Sequence, residues 1–220
     1  MTTLDDPQGR KTVAELVPDD VRVYPVGRLD YDTSGLLLMT NDGELAHRLM
    51  HPSFGVEKTY RALVEGAVTQ KTVRQLCDGV DIGDGDGVTS PAKVRVVDSH
   101  AGKTILELVI HEGKNRQVRR MCEVVGHPVV ELARVGYGPL TMGGVASGKS
   151  RPLTDQETRR IRKAAGLAPP RRASDDEKPS RAERRAADRA LEAKAAAAAA
   201  AGSEDEAVKA DGKADTKRSG

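Results

Sequence analysis

Gly27-Arg28-Leu29-Asp30-Tyr31-Asp32-Thr33-Ser34-Gly35-Leu36-Leu37-Leu38-Met39-Thr40-Asn41-Asp42-Gly43 is the stretch that decides how this 220-residue chain is interpreted. It follows a β-prone run, Val21 to Val26, and it ends in an apolar run, Leu36 to Thr40, that predicts a buried strand. Between the two runs lie two acids, an arginine, two hydroxyls and two glycines. A polar turn beside a buried strand holds its side chains rigidly at the edge of a core, which suits a catalytic group.

Three interpretations of this turn compete on the residues alone. The first is an ordinary strand–turn–strand, in which Gly35 supplies a positive φ angle and short polar side chains bond the local backbone. The second is a calcium loop, but the position that needs a bidentate glutamate is Asn41. The third is a catalytic carboxylate at Asp30 with Arg28 as its partner.

Two further blocks give the turn a context. The first is Gly43-Glu44-Leu45-Ala46-His47-Arg48-Leu49-Met50-His51-Pro52, which leads to Glu57-Lys58-Thr59-Tyr60. The second is Glu112-Gly113-Lys114-Asn115-Arg116-Gln117-Val118-Arg119-Arg120-Met121. In this order, the turn and the two blocks resemble the ribosomal RNA pseudouridine synthases of the RsuA/RluB family, over about residues 6–155.

The resemblance implies an α+β pseudouridine synthase fold, with a mixed, mostly antiparallel sheet flanked by helices. We expect a catalytic domain at 1–165 and a basic, alanine-rich, disordered tail at 166–220, because the tail has almost no large apolar residues to bury. The family's first motif, Lys-Pro-x-Gly, and the S4-type RNA-binding domain that precedes it do not occur in this sequence. We therefore expect an N-terminally truncated domain, and whether Met1 is the true start stays open.

The order of elements follows from apolar periodicity and turn residues. A first helix is predicted at 43–50, with Leu45, Leu49 and Met50 facing inward. Two more are predicted at 69–77 and 154–165, with Thr69 and Thr154 as their N-caps. A further helix is predicted to start with Asn115 as N-cap and to bury an apolar stripe of Val118, Met121, Cys122 and Val125. Strands are predicted at 56–68, 88–97, 103–111 and 128–135. The alternation in these strands supports an α+β class independently of the resemblance.

Composition narrows the class of partner. The net charge is only +2, yet arginines cluster at 116–120, 159–162 and 171–185, which is typical of proteins that bind nucleic acid. The chain has no Trp and one Phe, which argues against a binder that stacks many single-stranded bases. Cys77 and Cys122 have no metal spacing, and no long apolar run occurs, so we expect a cytoplasmic protein without a membrane contact. The reaction that the resemblance implies needs neither a metal nor a cofactor.

The resemblance also implies roles for three catalytic residues. Asp30 is the expected nucleophile, which attacks either the sugar C1′ or the base C6. Burial would raise its pKa, so a cation must hold it ionised, and we expect Arg119 to do so. Tyr60 is expected to stack on the target uracil and to help move the C5 proton.

Five further residues are expected to contact RNA. Arg28 would fill the gap left by a flipped nucleotide or clamp its phosphate. Lys58, Lys114, Arg116 and Arg120 would contact phosphate. Of these four, Arg120 is expected on the plain outer surface. Each alone is equally compatible with ordinary solvated surface.

The sequence thus predicts an enzyme that isomerises a specific uridine to pseudouridine in ribosomal RNA, with the 23S RNA of the large subunit as the expected partner and a monomer as the expected state. The alternative is a catalytically weak or inactive RNA-binding remnant of such an enzyme. A phosphatase of the Asp-x-Asp-x-Thr type is a third possibility, but it needs a long apolar strand before its first Asp, which Pro25-Val26-Gly27-Arg28 is not.

Overall fold

Helices and strands alternate along residues 12–17 and 22–168, which are the residues that this computed structural model describes. The helices are α1 (Gly43–Met50), α2 (Gln70–Asp78), α3 (Gln117–Val124) and α4 (Asp155–Ala164). The strands are β1 (Tyr24–Pro25), β2 (Thr33–Gly35), β3 (Met39–Thr40), β4 (Lys58–Glu65), β5 (Lys93–His100), β6 (Lys103–Ile110), β7 (Val129–Tyr137) and β8 (Leu140–Thr141). The predicted α+β class is confirmed.

The main sheet has the order β2-β7-β4-β6-β5, and β8 pairs with the end of β7. The β2–β7 pair is parallel, whereas β4, β5, β6, β7 and β8 pair antiparallel with one another where they are neighbours. Strands β1 and β3 form a separate antiparallel ribbon. The sheet is therefore mixed and mostly antiparallel, as predicted.

Two hydrophobic clusters stabilise this arrangement, and alternation along the strands supplies much of the first. In β6 every second residue is buried, so one face of the strand packs inward. The first cluster joins the sheet to α2 and α3; its members are Ala62, Val64, Leu76, Ile82, Leu106, Leu108, Ile110, Val118, Met121, Cys122 and Leu132. The second joins α1 and α4 to the other end of the sheet; its members are Val26, Leu38, Leu45, Ala46, Leu49, Val56, Tyr137, Leu140, Ile161 and Ala165.

Helix starts follow the predicted caps in two of three cases. The hydroxyl of Thr69 accepts a hydrogen bond from the Thr72 amide, and Thr154 forms a capping box with Glu157. The prediction of Asn115 as a cap is wrong, because α3 begins one residue later, with Arg116 at the N-cap in the left-handed conformation (φ 47°). The stripe of α3 is confirmed at Val118, Met121 and Cys122, which are buried.

Three other local predictions need correction. The apolar run Leu36 to Thr40 is not one buried strand: pairing with β7 involves residues 33–35, and only Met39–Thr40 resumes a strand, in the β1–β3 ribbon. Met50 is 43% exposed, because it faces a cleft at the end of α1. Strand β5 begins at Lys93, and Val88 forms only an isolated bridge with Asp81.

The joint between β2 and β7 depends on Gly35. Its φ is +107°, and a Cβ built there would lie 2.3 Å from the Arg134 carbonyl oxygen. The next amide, that of Leu36, donates to that same oxygen at 2.7 Å. A glycine is required because two backbones approach each other directly.

At the start of the described residues, Ala14–Leu16 forms a 3₁₀ turn. Leu167, near the predicted boundary at 165, packs against the second cluster. The predicted tail from residue 169 onward lies outside the described residues. Within residues 12–17 and 22–168, none of the helices has the length and apolar character needed to cross a membrane.

Candidate active site

A cleft of about 250 Å³ opens where the two hydrophobic clusters meet. Val26 and Tyr137 of the second cluster form one side, and Ile110, Val118 and Leu132 of the first form the other. The predicted turn at 27–30 and the block at 113–117 both line this cleft. Residues far apart in the sequence are thereby brought to one place.

A β-bulge explains why four functional side chains point into the cleft. Tyr60 pairs with Arg134 and Lys58 pairs with Tyr137, with a register shift between Thr59 and Tyr60. In a regular strand, residues 134 and 137 would face opposite sides of the sheet, because side chains alternate. The extra residue in β7 restores them to the face shared by Lys58 and Tyr60, and all four line the cleft.

Asp30 lies in the turn between β1 and β2 and lines the same cleft as Tyr60, so these two predicted catalytic residues are brought together. Its backbone carbonyl accepts a hydrogen bond from the Thr33 amide at 2.9 Å, which closes the turn. Among the residues that the structure describes, the Asp30 carboxylate has no hydrogen bond or ion pair. Its oxygens are therefore available to a substrate.

Asp32, two residues later, is surrounded by cations. Arg116 donates to both of its carboxylate oxygens, at 2.9 and 2.8 Å. Arg119 Nη2 donates to the Asp32 backbone carbonyl at 2.6 Å, and its Nε lies 3.2 Å from Asp32 Oδ2 without hydrogen-bond geometry. The hydrogen bonds from Arg116 lower the pKa of the Asp32 carboxyl group. We call Asp32, Arg116 and Arg119 the rim network.

The rim network corrects one prediction. Arg119 is predicted to hold Asp30 ionised, but its contacts are with Asp32 and with the Val129 carbonyl, at 3.1 Å. Arg119 is 11% exposed and lies at the core edge as expected, yet it is not among the residues that line the cleft. It supports the turn that carries Asp30 and does not pair with Asp30 itself.

The loop before α3 is shaped by a buried acid. Glu112 is 8% exposed and accepts hydrogen bonds from the Ser90 amide and hydroxyl, both at 3.0 Å, and from the Gln117 side chain. Gln117 Oε1 in turn accepts from the Lys114 amide at 3.0 Å. This side-chain bond fixes the loop just before α3, and no side chain of the described residues caps the start of that helix.

At the bottom of the cleft lie Lys58 and Arg134, which we call the floor pair. They are 6% and 4% exposed, respectively. Lys58 Nζ donates to the His111 carbonyl at 3.0 Å, and Arg134 Nε donates to the Leu36 carbonyl at 2.7 Å. Burial, and to a lesser extent the charge of Arg134, lowers the pKa of Lys58 to about 8. Burial raises the pKa of Tyr137 to about 12, and both cations lie over its ring.

The other predicted RNA contacts divide into exposed and engaged side chains. Arg28 is exposed and lines the cleft, as does Arg116. Lys114 Nζ instead donates to the carbonyls of Asp86 and Val88, at 2.7 and 3.0 Å. Lys58 is buried, so it does not lie on the outer surface, where a residue that contacts phosphate is expected.

Arg120 is a correction. It is predicted on the plain surface, but its side chain is 15% exposed. It donates to the carbonyls of Ile82 and Gly83 at 2.7 and 2.8 Å, and to Asp86 at 2.5 Å. Arg120 thus anchors the 82–86 loop to α3.

Sequence reasoning missed Arg134, Asp32 and Thr33 as site residues. Arg134 carries a signal in the sequence: it is the one basic residue of the apolar run Pro128 to Val135, where a buried charge needs a reason. Asp32 is predicted only as one of the two acids of the polar turn, without a role of its own. Thr33 lines the cleft, and its Oγ1 is buried without a hydrogen-bond partner among the described residues.

Comparisons with known proteins identify the family of this chain. Residues 5–124 match the model of the RNA pseudouridylate synthase family. A ribosomal large subunit pseudouridine synthase B of Bacillus subtilis is 44% identical over 166 residues, which are 75% of this chain and 68% of that protein. An uncharacterized RNA pseudouridine synthase of Aquifex aeolicus is 45% identical over 162 residues, 73% of this chain and 64% of that protein.

The fold has a similar solved counterpart. A crystal structure of a pseudouridylate synthase superposes with a TM-score of 0.64 at 31% identity, covering 68% of this chain and 65% of that one. The chain therefore spans about two thirds of the length of the relatives that it matches. The family and fold that the three sequence blocks predicted are confirmed.

Proposed function

Because this chain belongs to the RNA pseudouridylate synthase family, we propose that it isomerises a uridine to pseudouridine in ribosomal RNA and that Asp30 is the nucleophile. The proposal extends to the 23S RNA of the large subunit, since the relative from Bacillus subtilis carries a large-subunit name. It also includes action as a monomer in the cytoplasm, without a cofactor.

The observation that carries the proposal is the contrast between Asp30 and its surroundings. Asp30 lines the cleft with Tyr60, and its carboxylate has no hydrogen bond or ion pair among the described residues. A nucleophilic carboxylate must be ionised and within reach of substrate. Arg116, which lines the same cleft, has its pKa raised mainly by Asp32 and to a lesser extent by the nearby charge of Asp30.

In the proposed reaction the N1–C1′ bond of the uridine breaks, the uracil rotates, and a C5–C1′ bond forms. In one route, Asp30 Oδ bonds to the sugar C1′ as the N1–C1′ bond breaks, and the electron pair leaves with the uracil. The uracil C5 then attacks C1′ and displaces the carboxylate. Loss of the C5 proton and gain of a proton at N1 complete an isomerisation. In the other route, Asp30 Oδ first adds to C6 of the base, and the electron pair of the C5–C6 double bond moves to C5 and the C4 carbonyl oxygen. The N1–C1′ bond then breaks, C5 bonds to C1′, and loss of the C5 proton restores the double bond as the carboxylate leaves C6 and N1 gains a proton.

Tyr60 is proposed to stack on the uracil and to help move the C5 proton. The target base must leave its stack to enter the cleft, at a cost of a few kcal/mol. Arg28, exposed at the opening, is proposed to offset that cost by filling the gap or clamping the phosphate.

The test is to incubate the full chain with unmodified ribosomal RNA and to map pseudouridine chemically. We expect new pseudouridine at one or a few positions with the wild type and none with Asp30→Asn. Asp78→Asn, which changes an exposed acid on α2, is the matched control and should act like the wild type. Identical maps for wild type and Asp30→Asn would refute the proposed role of Asp30. RNA binding without any conversion would instead favour the inactive remnant.

A further inference from the structure

The floor of the cleft holds two cations and no anion among the residues that the structure describes. Lys58 and Arg134 are both more than nine-tenths buried, and buried charges are normally paired. Within the described residues, the only hydrogen-bond acceptors of the floor pair are two backbone carbonyls, those of His111 and Leu36. No ion pair in the described part of the chain involves either side chain.

Unsatisfied donors and acceptors mark the same place. Three buried side-chain polar atoms of the described residues have no hydrogen-bond partner: Thr33 Oγ1, Arg119 Nε and Arg134 Nη2. Two of the three belong to residues that line the cleft, and only Arg119 does not. Such atoms are rare in native proteins and require an explanation. A substrate group that binds Arg134 Nη2 would supply one.

We propose that Arg134, together with Lys58, forms a subsite for the uracil ring and stabilises the negative charge that the ring carries during the reaction. The inference rests on the proposed isomerisation and names the groups that receive its charge. When the N1–C1′ bond breaks, its electron pair passes to N1 and spreads to the carbonyl oxygens. When Asp30 adds to C6 instead, the displaced pair of electrons reaches the C4 carbonyl oxygen. Both routes need a cation at a carbonyl oxygen.

Burial favours the base over the backbone phosphate as the ligand. A phosphate on the RNA backbone stays near the surface, where Arg28 and Arg116 are exposed at the opening of the cleft. The floor pair lies behind them and is accessible only to a group that enters the cleft. Donors fixed in a water-poor site before the reaction stabilise developing charge without reorganising. Arg134 is fixed in this way by its bond to Leu36 and by Tyr137, whose ring centroid is 5.2 Å from the guanidinium carbon.

The test uses the full chain, transcribed large-subunit ribosomal RNA, single-turnover rates at saturating enzyme, and a separate binding measurement. We expect Arg134→Met to lower the rate by about 100-fold or more, the usual effect of removing one such donor, and to change the RNA Kd less than about threefold. Lys58→Met should lower the rate about tenfold or more. Arg134→Lys, which keeps the charge, should recover part of the loss. Arg61→Met, an exposed arginine on β4 outside the cleft, is the matched control.

A second substrate separates charge stabilisation from a structural role. RNA that contains 5-fluorouridine carries a ring that holds negative charge more easily, so the Arg134→Met defect in uridine consumption should shrink at least tenfold with it. An equal defect with both substrates, or a raised Kd with an unchanged saturating rate, overturns the inference. If the wild type makes no pseudouridine, the proposed function fails instead. Lys58→Met keeps the test decisive if Arg134→Met does not fold.

Discussion

The rim network, of which only Arg116 lines the cleft, and the floor pair, which lies inside the cleft, differ in how their charges are paired. At the rim, Asp32 is held by two hydrogen bonds from Arg116, and Arg119 adds a third contact with the same carboxylate. At the floor, Lys58 and Arg134 are more deeply buried, yet neither has a carboxylate partner among the described residues. The floor of the cleft is more deeply buried and therefore disfavours charge more strongly than the rim, yet it contains the cations without an ion-pair partner in the described part of the chain.

This difference separates groups that build the site from groups left available for substrate. Paired charges such as Asp32 fix the geometry of the turn, and their charge is already neutralised. Within the described part of the chain, Asp30, Lys58 and Arg134 are unpaired or carry unsatisfied atoms, which lowers stability and leaves them able to interact with a bound group. Proximity along the chain does not distinguish the two classes, since Asp30 and Asp32 are two residues apart.

The largest expected effect comes from disrupting the joint between β2 and β7, which positions Arg134 of the floor pair. This change alters no residue of the rim network. Gly35→Ala would place a Cβ 2.3 Å from the Arg134 carbonyl oxygen at a φ of +107°. We expect the free energy of unfolding to fall by more than ~3 kcal/mol, measured by chemical denaturation. Gly55→Ala is the control, because its φ is also positive but nothing lies within 4 Å; it should cost ~1–2 kcal/mol. Equal losses would show that the β2–β7 contact does not matter.

The next largest effect is on stability and comes from removing one charge of the floor pair, that of Lys58. Lys58 has its pKa lowered from 10.5 to about 8 in the folded state, so its charged form opposes folding. Below pH 8 the full cost, ~3 kcal/mol, is present. As pH rises from about 8 to 10.5, the unfolded chain retains a proton that the folded chain has lost, so stability increases. Lys58→Met should therefore be more stable than the wild type at pH 7 by ~2–3 kcal/mol.

The same variant gives a pH test. Since the methionine side chain that replaces Lys58 does not titrate, the stability difference between variant and wild type should shrink as pH rises from about 8 to 10.5. Charged or titratable side chains that line the cleft with Lys58 are present in both proteins and largely cancel; they are Arg28, Asp30, Tyr60, Lys114, Arg116, Arg134 and Tyr137. A difference that is constant with pH, measured by thermal unfolding in matched buffers, contradicts the lowered pKa.

A third prediction concerns the acid of the rim network. Asp32→Asn removes the charge that holds Arg116 and Arg119, so the turn carrying Asp30 should lose its precise position. We expect a single-turnover rate about 10–100-fold lower, as small misplacements of a catalytic group produce. Asp84→Asn is matched to it, because Asp84 also pairs with an arginine of α3, Arg120, but at an exposed site outside the cleft. A similar defect in both variants would mean that α3, and not the turn, is responsible.

The smallest effect compares the rim surface with the floor in binding. If Arg28 contacts one phosphate, Arg28→Ala should reduce the slope of log K against log salt by roughly 0.7–0.9, according to strand type. Lys58→Met should leave that slope unchanged, because its partner is proposed to be the base. Filter binding or fluorescence titration over a range of salt concentrations measures both. Equal changes of slope in the two variants would assign Lys58 to phosphate.

Sequence reasoning found the parts of the site that are coded locally. Asp30 and Tyr60 belong to short blocks with a recognisable pattern, and both line the cleft. Thr69 and Thr154 cap their helices because a cap involves only the next three residues. The alternation of β6 likewise depends only on one strand. The fold class and family followed from these local signals.

The rest could not be found because it depends on tertiary register. Arg134 reaches the cleft only through the β-bulge opposite Thr59 and Tyr60, which periodicity does not predict. Arg119 contacts Asp32 and not Asp30, a choice between two acids of one turn that the helical pattern of α3 does not determine. The capping prediction at Asn115 failed because a left-handed Arg116 occupies the N-cap position of α3, and no side chain of the described residues caps that helix. In the first two cases a side-chain partner lies outside the local pattern.

The parallel pairing of β2 with β7 also determines when during synthesis the cleft can exist. Ser34 and Ala133 are Cα partners across this joint, almost one hundred positions apart in the chain. Contacts of such long range form late and slow folding, because a large loop must close first. Asp30 therefore leaves the ribosome long before the strand that completes its surroundings. A nascent chain that ends before β7 has the proposed nucleophile but no cleft, so the proposed reaction has to wait for a finished domain.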